Sequence, residues 1–191
     1  MNLPNKLTLL RIIMIPVFAA LFYVTAIPYN YLISAIVFLL AAFTDFLDGY
    51  IARKYNLVTN LGKFLDPIAD KVLVSTALII MLLPFGGAQI LPWYAGIFVA
   101  VILSRELIVS GFRIVAASRG LILAADKTGK VKTFFQDIAI AVLLIGASVD
   151  VGLYSVTNII GLSLLGVSVL LTVVSGIEYL VKNSQVLKEE K

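Results

Sequence analysis

The chain contains no cysteine and no histidine. Without cysteine there are no disulfides and no thiol chemistry, although that absence by itself assigns no redox compartment. Without either residue the nitrogen and sulfur donors that zinc prefers are missing, so any metal must be held by oxygen. Charge is scarce too: 14% of the 191 residues are charged and 61% are hydrophobic, which is far outside the composition of a soluble domain. Soluble-domain, low-complexity and repeat patterns are all lacking. A cleavable signal peptide is not expected, because Met1 to Arg11 carries no small-residue cleavage site behind a short apolar core and the apolar stretch that follows is too long.

What the chain has instead is long uncharged runs. Ile12 to Thr44 and Val72 to Ser104 each hold thirty-three residues without a charge, too many for one membrane span of about 20. Turn chemistry at Ile27-Pro28-Tyr29-Asn30 divides the first, and Pro84-Phe85-Gly86-Gly87 with Pro92 divides the second. The expected product is an all-α integral membrane protein: one membrane-embedded catalytic domain over residues 1–191, six transmembrane helices in three hairpins, and a short interfacial segment at the N-terminus. The helices are expected at about Leu7 to Thr25, Tyr31 to Ile51, from the Gly62 region to Leu83, Trp93 to past Phe112, Val131 to Ser148 and Tyr154 to Val181. Pro67 is expected in the first turns of the third, and the tail beyond Lys182 is expected to be ragged.

Basic residues orient this bundle. The turns at Ala26 to Asn30, Phe85 to Pro92 and Val149 to Gly152 contain no Lys or Arg, so all fifteen basic residues fall on the other side or on helix ends leading to it. The positive-inside rule makes that side cytoplasmic. Pro28, Gly86 and Gly152 are then expected outside, and Lys54, Lys127 and Lys188 inside. Both termini and the charged 105 to 132 region share the cytoplasmic face of the cell membrane.

Against this apolar background, four carboxylates stand out: Asp45, Asp48, Asp66 and Asp70. An ionisable group at membrane depth must be paired, wetted or metal-bound. On a helix, Asp45 and Asp48 lie about 60° apart and Asp66 and Asp70 about 40° apart, so each pair shares a face. Two adjacent helices then aim four like charges at one point, and divalent cations relieve the repulsion. An all-oxygen donor set suits Mg2+ or Mn2+, and two such ions are the usual clamp for displacement at phosphorus. Gly49, Ala52 and Gly62 are interleaved with the carboxylates, either to let helices approach closely or to leave room for a flat ligand. Arg53 fits an interfacial anchor or a diphosphate contact.

The pattern Asp45-x2-Asp48-Gly49-x2-Ala52-Arg53-x8-Gly62-x3-Asp66-x3-Asp70 resembles the signature of the CDP-alcohol phosphatidyltransferases, matching at all eight fixed positions with the spacing intact. The resemblance implies a six-helix membrane enzyme that transfers a phosphatidyl group, or a related phospho-alcohol, from its CDP ester to an acceptor hydroxyl and releases CMP. It implies that Asp45, Asp48, Asp66 and Asp70 hold two divalent cations and that Asp70 is also the base. It places Asp48, Gly49, Ala52, Arg53 and Gly62 at the CDP group, and it implies a homodimer.

The acceptor is read from the basic region. Arg105, Arg113, Lys130 and Lys132 belong either to a solvated positive-inside face or to a site for a phosphorylated acceptor, and Glu106 can pair with one of the arginines. Asn2-Leu-Pro-Asn5-Lys-Leu-Thr8-Leu-Leu-Arg11 and Gly129-Lys130-Val-Lys132-Thr133-Phe-Phe-Gln136 resemble segments of the bacterial family members that use glycerol 3-phosphate. The leading expectation is therefore transfer from CDP-diacylglycerol to glycerol 3-phosphate within membrane lipid, with no nucleic-acid partner. Another acceptor, such as inositol phosphate, serine or phosphatidylglycerol, is the alternative within the family. From outside it, a cation or proton transporter would account for intramembrane carboxylates but does not require Gly49, Ala52, Arg53 and Gly62 at these offsets. Small residues between Gly161 and Gly166 suit either a dimer contact or internal packing.

Overall fold

The computed structural model describes residues 2–55, 59–84, 89–121, 123, 127–149 and 155–187. Among them are six α-helices and a short 3-10 helix: α1 (Leu3–Tyr23), α2 (Asn30–Lys54), α3 (Asn60–Leu82), α4 (Ala95–Ser118), α5 (Lys127–Val149), α6 (Val156–Lys182) and the 3-10 turn Ser184–Leu187. Five of the six are long and apolar enough to cross a membrane. The exception is α3, every eighteen-residue stretch of which includes Asp66, Asp70 and Lys71.

Local chemistry sets the helix starts. Asn2 caps α1, its side chain accepting from the Asn5 N–H, with Pro4 in the first turn where its missing N–H is harmless. Thr59 caps α3 by accepting from the Gly62 N–H at 3.0 Å, and Ser155 caps α6 by accepting from Asn158 at 3.2 Å. Because α1 starts at Leu3, the N-terminal segment expected at the interface is continuous with the first helix. Because α3 starts at Asn60, Pro67 falls in its interior rather than its first turns, and the carbonyl four residues back loses its helical donor there. The tail is ordered further than expected: Val186 is fully buried and its carbonyl accepts from Arg119 at 2.8 Å.

Two of the three expected hairpins pack closely, α1 on α2 and α5 on α6, and α2 and α5 join them face to face. The third is loose. α3 lies mainly on α1 and α4 on α6, so the motif-bearing helix is set against the N-terminal helix rather than against its sequence neighbour. Phe18, Phe22, Phe38, Leu73, Leu78, Met81, Ile140 and Leu144 fill the shared core. On α5 and α6 the backbones come so near that a Cβ at Gly161 would lie 2.6 Å from Leu143 Cγ, which places Gly161 in internal packing, whereas Gly166 faces open space. Large apolar side chains such as Ile97, Leu107, Leu170 and Val174 cover the outside, as a lipid-facing surface requires. Trp93 and Tyr94 are exposed at the start of α4, consistent with an aromatic belt. Gly86, Gly152 and Lys188, named in the expected topology, lie outside the described residues.

Because successive helices run in opposite directions, the polar ends meet. The N-terminal halves of α1, α3 and α5 carry Asn5, Thr8 and Arg11, Asp66 and Asp70, and Lys132 and Gln136; the C-terminal halves of α2 and α6 carry Asp45 and Asp48, and Ser175 and Tyr179; and the middle of α4 carries Arg105 and Glu106. All the charged groups of interest therefore gather at one end of the bundle.

Candidate active site

The carboxylates are met by α1. Asn5, Thr8 and Arg11 are spaced three apart, so they form one polar row along that helix. Asn5 Oδ1 accepts from the Thr59 hydroxyl at 2.8 Å, Thr8 Oγ1 donates to Asp66 Oδ1 at 2.6 Å, and the Arg11 guanidinium donates to Asp45 Oδ1 and Asp48 Oδ2, each at 2.6 Å. The Arg11 Nε–H also reaches the Ala41 carbonyl and Thr44 Oγ1. The Arg11 and Asp48 side chains are 0% and 2% exposed, while Asp45 keeps 42% of its surface. One helix thus ties together both halves of the motif, which are separated in sequence by a connection of their own.

Four carboxylates converging on one point were expected. Among the described residues no three close as tightly as they would around an ion. Because like charges repel, Asp45 and Asp48 turn to the Arg11 guanidinium instead. They are nevertheless neighbours, Asp48 lying within electrostatic reach of Asp45 and Asp66, and Asp70 within reach of Asp45. The donor set fits hard divalent cations. Asp45, Asp48 and Asp66 each give one oxygen to an α1 donor and leave the other without a hydrogen bond to the described residues, and Asp70 makes none to them. Carboxylates oriented through one oxygen and open at the other are the usual arrangement around a bound metal.

Gly49 and Ala52 follow on α2, both half-buried, and the side chain of Arg53 lies outside the described residues. Gly62 is buried, and a Cβ there would sit 3.0 Å from Asn5 Oδ1 and 3.2 Å from Thr59 Oγ1. Close packing against Asn5 of α1 and the Thr59 cap therefore accounts for a small residue at 62.

Beside the carboxylates lies a cavity of about 190 Å3 lined by Pro67, Asp70, Lys71, Arg105, Glu106, Arg113, Gly129, Lys130, Thr133 and Tyr179. Four cations against two carboxylates make it positive. Glu106 organises it: its Oε1 accepts from Arg105 at 2.9 Å and from Lys132 at 2.6 Å, and Lys71 stands at 4.0 Å while donating to the Ser110 hydroxyl. Arg113 donates through Nε to the Tyr179 hydroxyl at 3.1 Å and lies over its ring, with Lys130 exposed at the mouth. Of the four expected acceptor residues, Arg105, Arg113 and Lys130 share this cavity. Lys132 is buried behind it and faces a smaller adjoining space together with Asp70, Lys71 and Gln136. Asp70 and Glu106 line both.

Sequence reasoning quoted Thr8 and Arg11 within the N-terminal segment without giving them a role, and gave none to Lys71 or Tyr179. The three-residue spacing of Asn5, Thr8 and Arg11 was a usable signal, since it puts polar groups on one face of an otherwise apolar helix. Lys71 was legible as a cation next to Asp70. Nothing marked Tyr179. A fifth carboxylate, Asp137 on α5, lies within electrostatic reach of Asp70 and Asp45, and its Oδ1 is buried without a hydrogen bond.

Residues 1–174 match the model of a family described as CDP-alcohol phosphatidyltransferase. The chain belongs to that family. It is 46% identical to a CDP-diacylglycerol--glycerol-3-phosphate 3-phosphatidyltransferase of Bacillus subtilis, an alignment covering 98% of this chain and 97% of the relative. Proteins of the same name from Rickettsia bellii and Salmonella typhimurium are 42% and 37% identical, over 93% and 94% of this chain and 93% of each relative. As a family member the chain is a CDP-alcohol phosphatidyltransferase embedded in a membrane by several helices.

Proposed function

We propose that this phosphatidyltransferase moves the phosphatidyl group of CDP-diacylglycerol onto glycerol 3-phosphate, giving phosphatidylglycerophosphate and CMP. The observation that carries the reading is the position of Asp70, which belongs to the carboxylate cluster and at the same time forms a wall of the cationic cavity. A small phosphorylated alcohol in that cavity presents its hydroxyl to Asp70 and its phosphate to the cations. Arg105 supports this further, because it lines the cavity and its Nε–H is buried without an acceptor among the described residues. The relatives' names point to the same two substrates.

In the reaction, the acceptor oxygen forms a bond to the lipid-bearing phosphorus, the bond from that phosphorus to the CMP oxygen breaks, and the hydroxyl proton passes to Asp70. Phosphoryl transfer of this kind needs positioning and charge neutralisation more than covalent help. Divalent cations held by Asp45, Asp48, Asp66 and Asp70 would supply that neutralisation at the diphosphate. Gly49, Ala52, Arg53 and Gly62 would flank the CDP group. Arg105, Arg113 and Lys130 would hold the acceptor phosphate, and Lys132 would fix Glu106 behind them.

The same reading puts the site and both termini on the cytoplasmic side of the cell membrane, as the one-sided Lys and Arg distribution supports, and has the chain act as a homodimer. Light scattering of the detergent-solubilised protein at twice the monomer mass checks the latter. For the reaction, purified protein is given CDP-diacylglycerol and Mg2+ or Mn2+ with glycerol 3-phosphate, inositol phosphate, serine or phosphatidylglycerol in turn. CMP release is expected with glycerol 3-phosphate and is abolished by EDTA. Release with another acceptor alone would refute the acceptor assignment.

A further inference from the structure

Arg11 is the most unusual charge in the molecule. It is wholly buried inside an apolar helix bundle, and both of its carboxylate partners come from a different helix. A buried guanidinium is tolerated only when its donors are used, and here NH1 takes Asp45, NH2 takes Asp48, and Nε takes the Ala41 carbonyl and Thr44. The two-pronged grip spans the i, i+3 spacing of the aspartates, which a single ammonium cannot do with the same geometry. Asp48, 2% exposed, has no other counter-ion at hydrogen-bond distance among the described residues.

We propose that Arg11 is a fixed cation that holds the α1–α2 half of the carboxylate site together when no divalent ion is bound, so that the bundle does not depend on metal for its stability. This rests on the reading of Asp45 and Asp48 as metal ligands. By engaging one oxygen of each carboxylate, Arg11 also fixes the orientation of both and leaves the second oxygen of each without a hydrogen bond to the described residues, and it is therefore a positioning residue. Two aspartates one turn apart on α2 would repel each other in a metal-free, low-dielectric site. With Arg11 present, one carboxylate of the pair is neutralised in net charge and both are oriented. Removing it transfers the whole task to the metal.

The consequence is measurable without any activity assay. The quantity is the difference between the melting temperature in saturating Mn2+ and that in EDTA, taken for the detergent-solubilised full chain. The wild-type gap, set by Mn2+ binding to the folded state, is the reference. Arg11→Met keeps much of the side-chain volume and removes the charge; it is expected to widen the gap by on the order of 10 °C, chiefly by lowering the EDTA value. Arg11→Lys keeps the charge but grips one carboxylate at a time, and its gap falls between the two. A loss of the same size in Mn2+ and in EDTA would mean that Arg11 is only packing and would overturn the proposal, as would an unchanged gap. If Arg11→Met does not fold even with Mn2+, Arg11→Lys decides: a widened gap supports the proposal and an unwidened one overturns it. Mn2+ titration of the wild-type protein by electron paramagnetic resonance separates the two readings. No Mn2+ binding would sink the metal assignment itself, whereas binding with no widening sinks the role of Arg11 alone.

Discussion

At the scale of single residues, Asp70 differs from the other three aspartates in its surroundings. Asp45, Asp48 and Asp66 are each tied to α1, while Asp70 makes no hydrogen bond to the described residues and faces the cationic cavity. That freedom suits a group that must accept a proton. Asp70→Asn is therefore expected to lower kcat by at least roughly 10²-fold, the loss typical of removing a general base, while CDP-diacylglycerol still binds. A near-normal kcat would exclude Asp70 as the base. Asp45→Asn and Asp48→Asn should instead weaken Mn2+ and CDP-lipid binding together. Glu106 carries a different burden, since the buried Lys132 ammonium depends on it. Replacing it with Gln removes a charge-assisted bond, expected to cost about 2 kcal/mol, which a chain of this size registers as a melting temperature lower by roughly 4–8 °C. Neutralising Arg113 or Lys130, which lie nearer solvent, is expected to raise the acceptor KM roughly tenfold with a smaller effect on the KM for CDP-diacylglycerol, as for loss of one charged phosphate contact. Unchanged acceptor KM in both variants would place the acceptor phosphate elsewhere.

At the scale of helices, the expected elements largely hold, and their partnerships are what differ. Six apolar segments and their turns were legible because a bilayer demands continuous hydrogen-bonded helices of a set length. The starts of α1 and α5 moved outward because polar residues there can be satisfied inside the bundle: Asn5 by Thr59, and Thr128 by Glu178. That α3 would lean on α1 and α4 on α6 left no mark on the individual segments, since a lipid-facing and a helix-facing apolar residue look alike. The small residues of α6 are a case in point. Gly161 is needed where α6 meets Leu143, and Gly161→Leu should cost about 1–3 kcal/mol by overpacking, read as a lowered melting temperature. The same change at Gly166, which faces open space, should leave thermal stability intact.

At the scale of the whole molecule, alternating helix directions bring every charged end to one side. A cysteine introduced at Pro28, in the turn between α1 and α2, is expected to react with a membrane-impermeant thiol reagent applied to intact cells, and one at Lys54, at the end of α2, only after lysis. The natural lack of cysteine makes such labelling clean. Ready labelling at 54 from outside would invert the topology. The polar end also explains how a membrane bundle can use water-soluble and lipid substrates together: the cavity with Asp70 is polar and small, while the surrounding helix faces are apolar.

The sequence by itself determined that this is a helical membrane protein and that its family is the CDP-alcohol phosphatidyltransferases, and it singled out four aspartates as candidate ligands. Hydrophobic run lengths, charge asymmetry and eight fixed residues are all properties of the chain in one dimension. Only the tertiary structure decided what those aspartates touch. Arg11 lies more than thirty positions from its partners, and Tyr179 sixty-six from Arg113. A buried charge finds its partner by whatever helix happens to pack beside it, and in a bundle that choice is made by packing of apolar surfaces that carry no label of their own in the sequence.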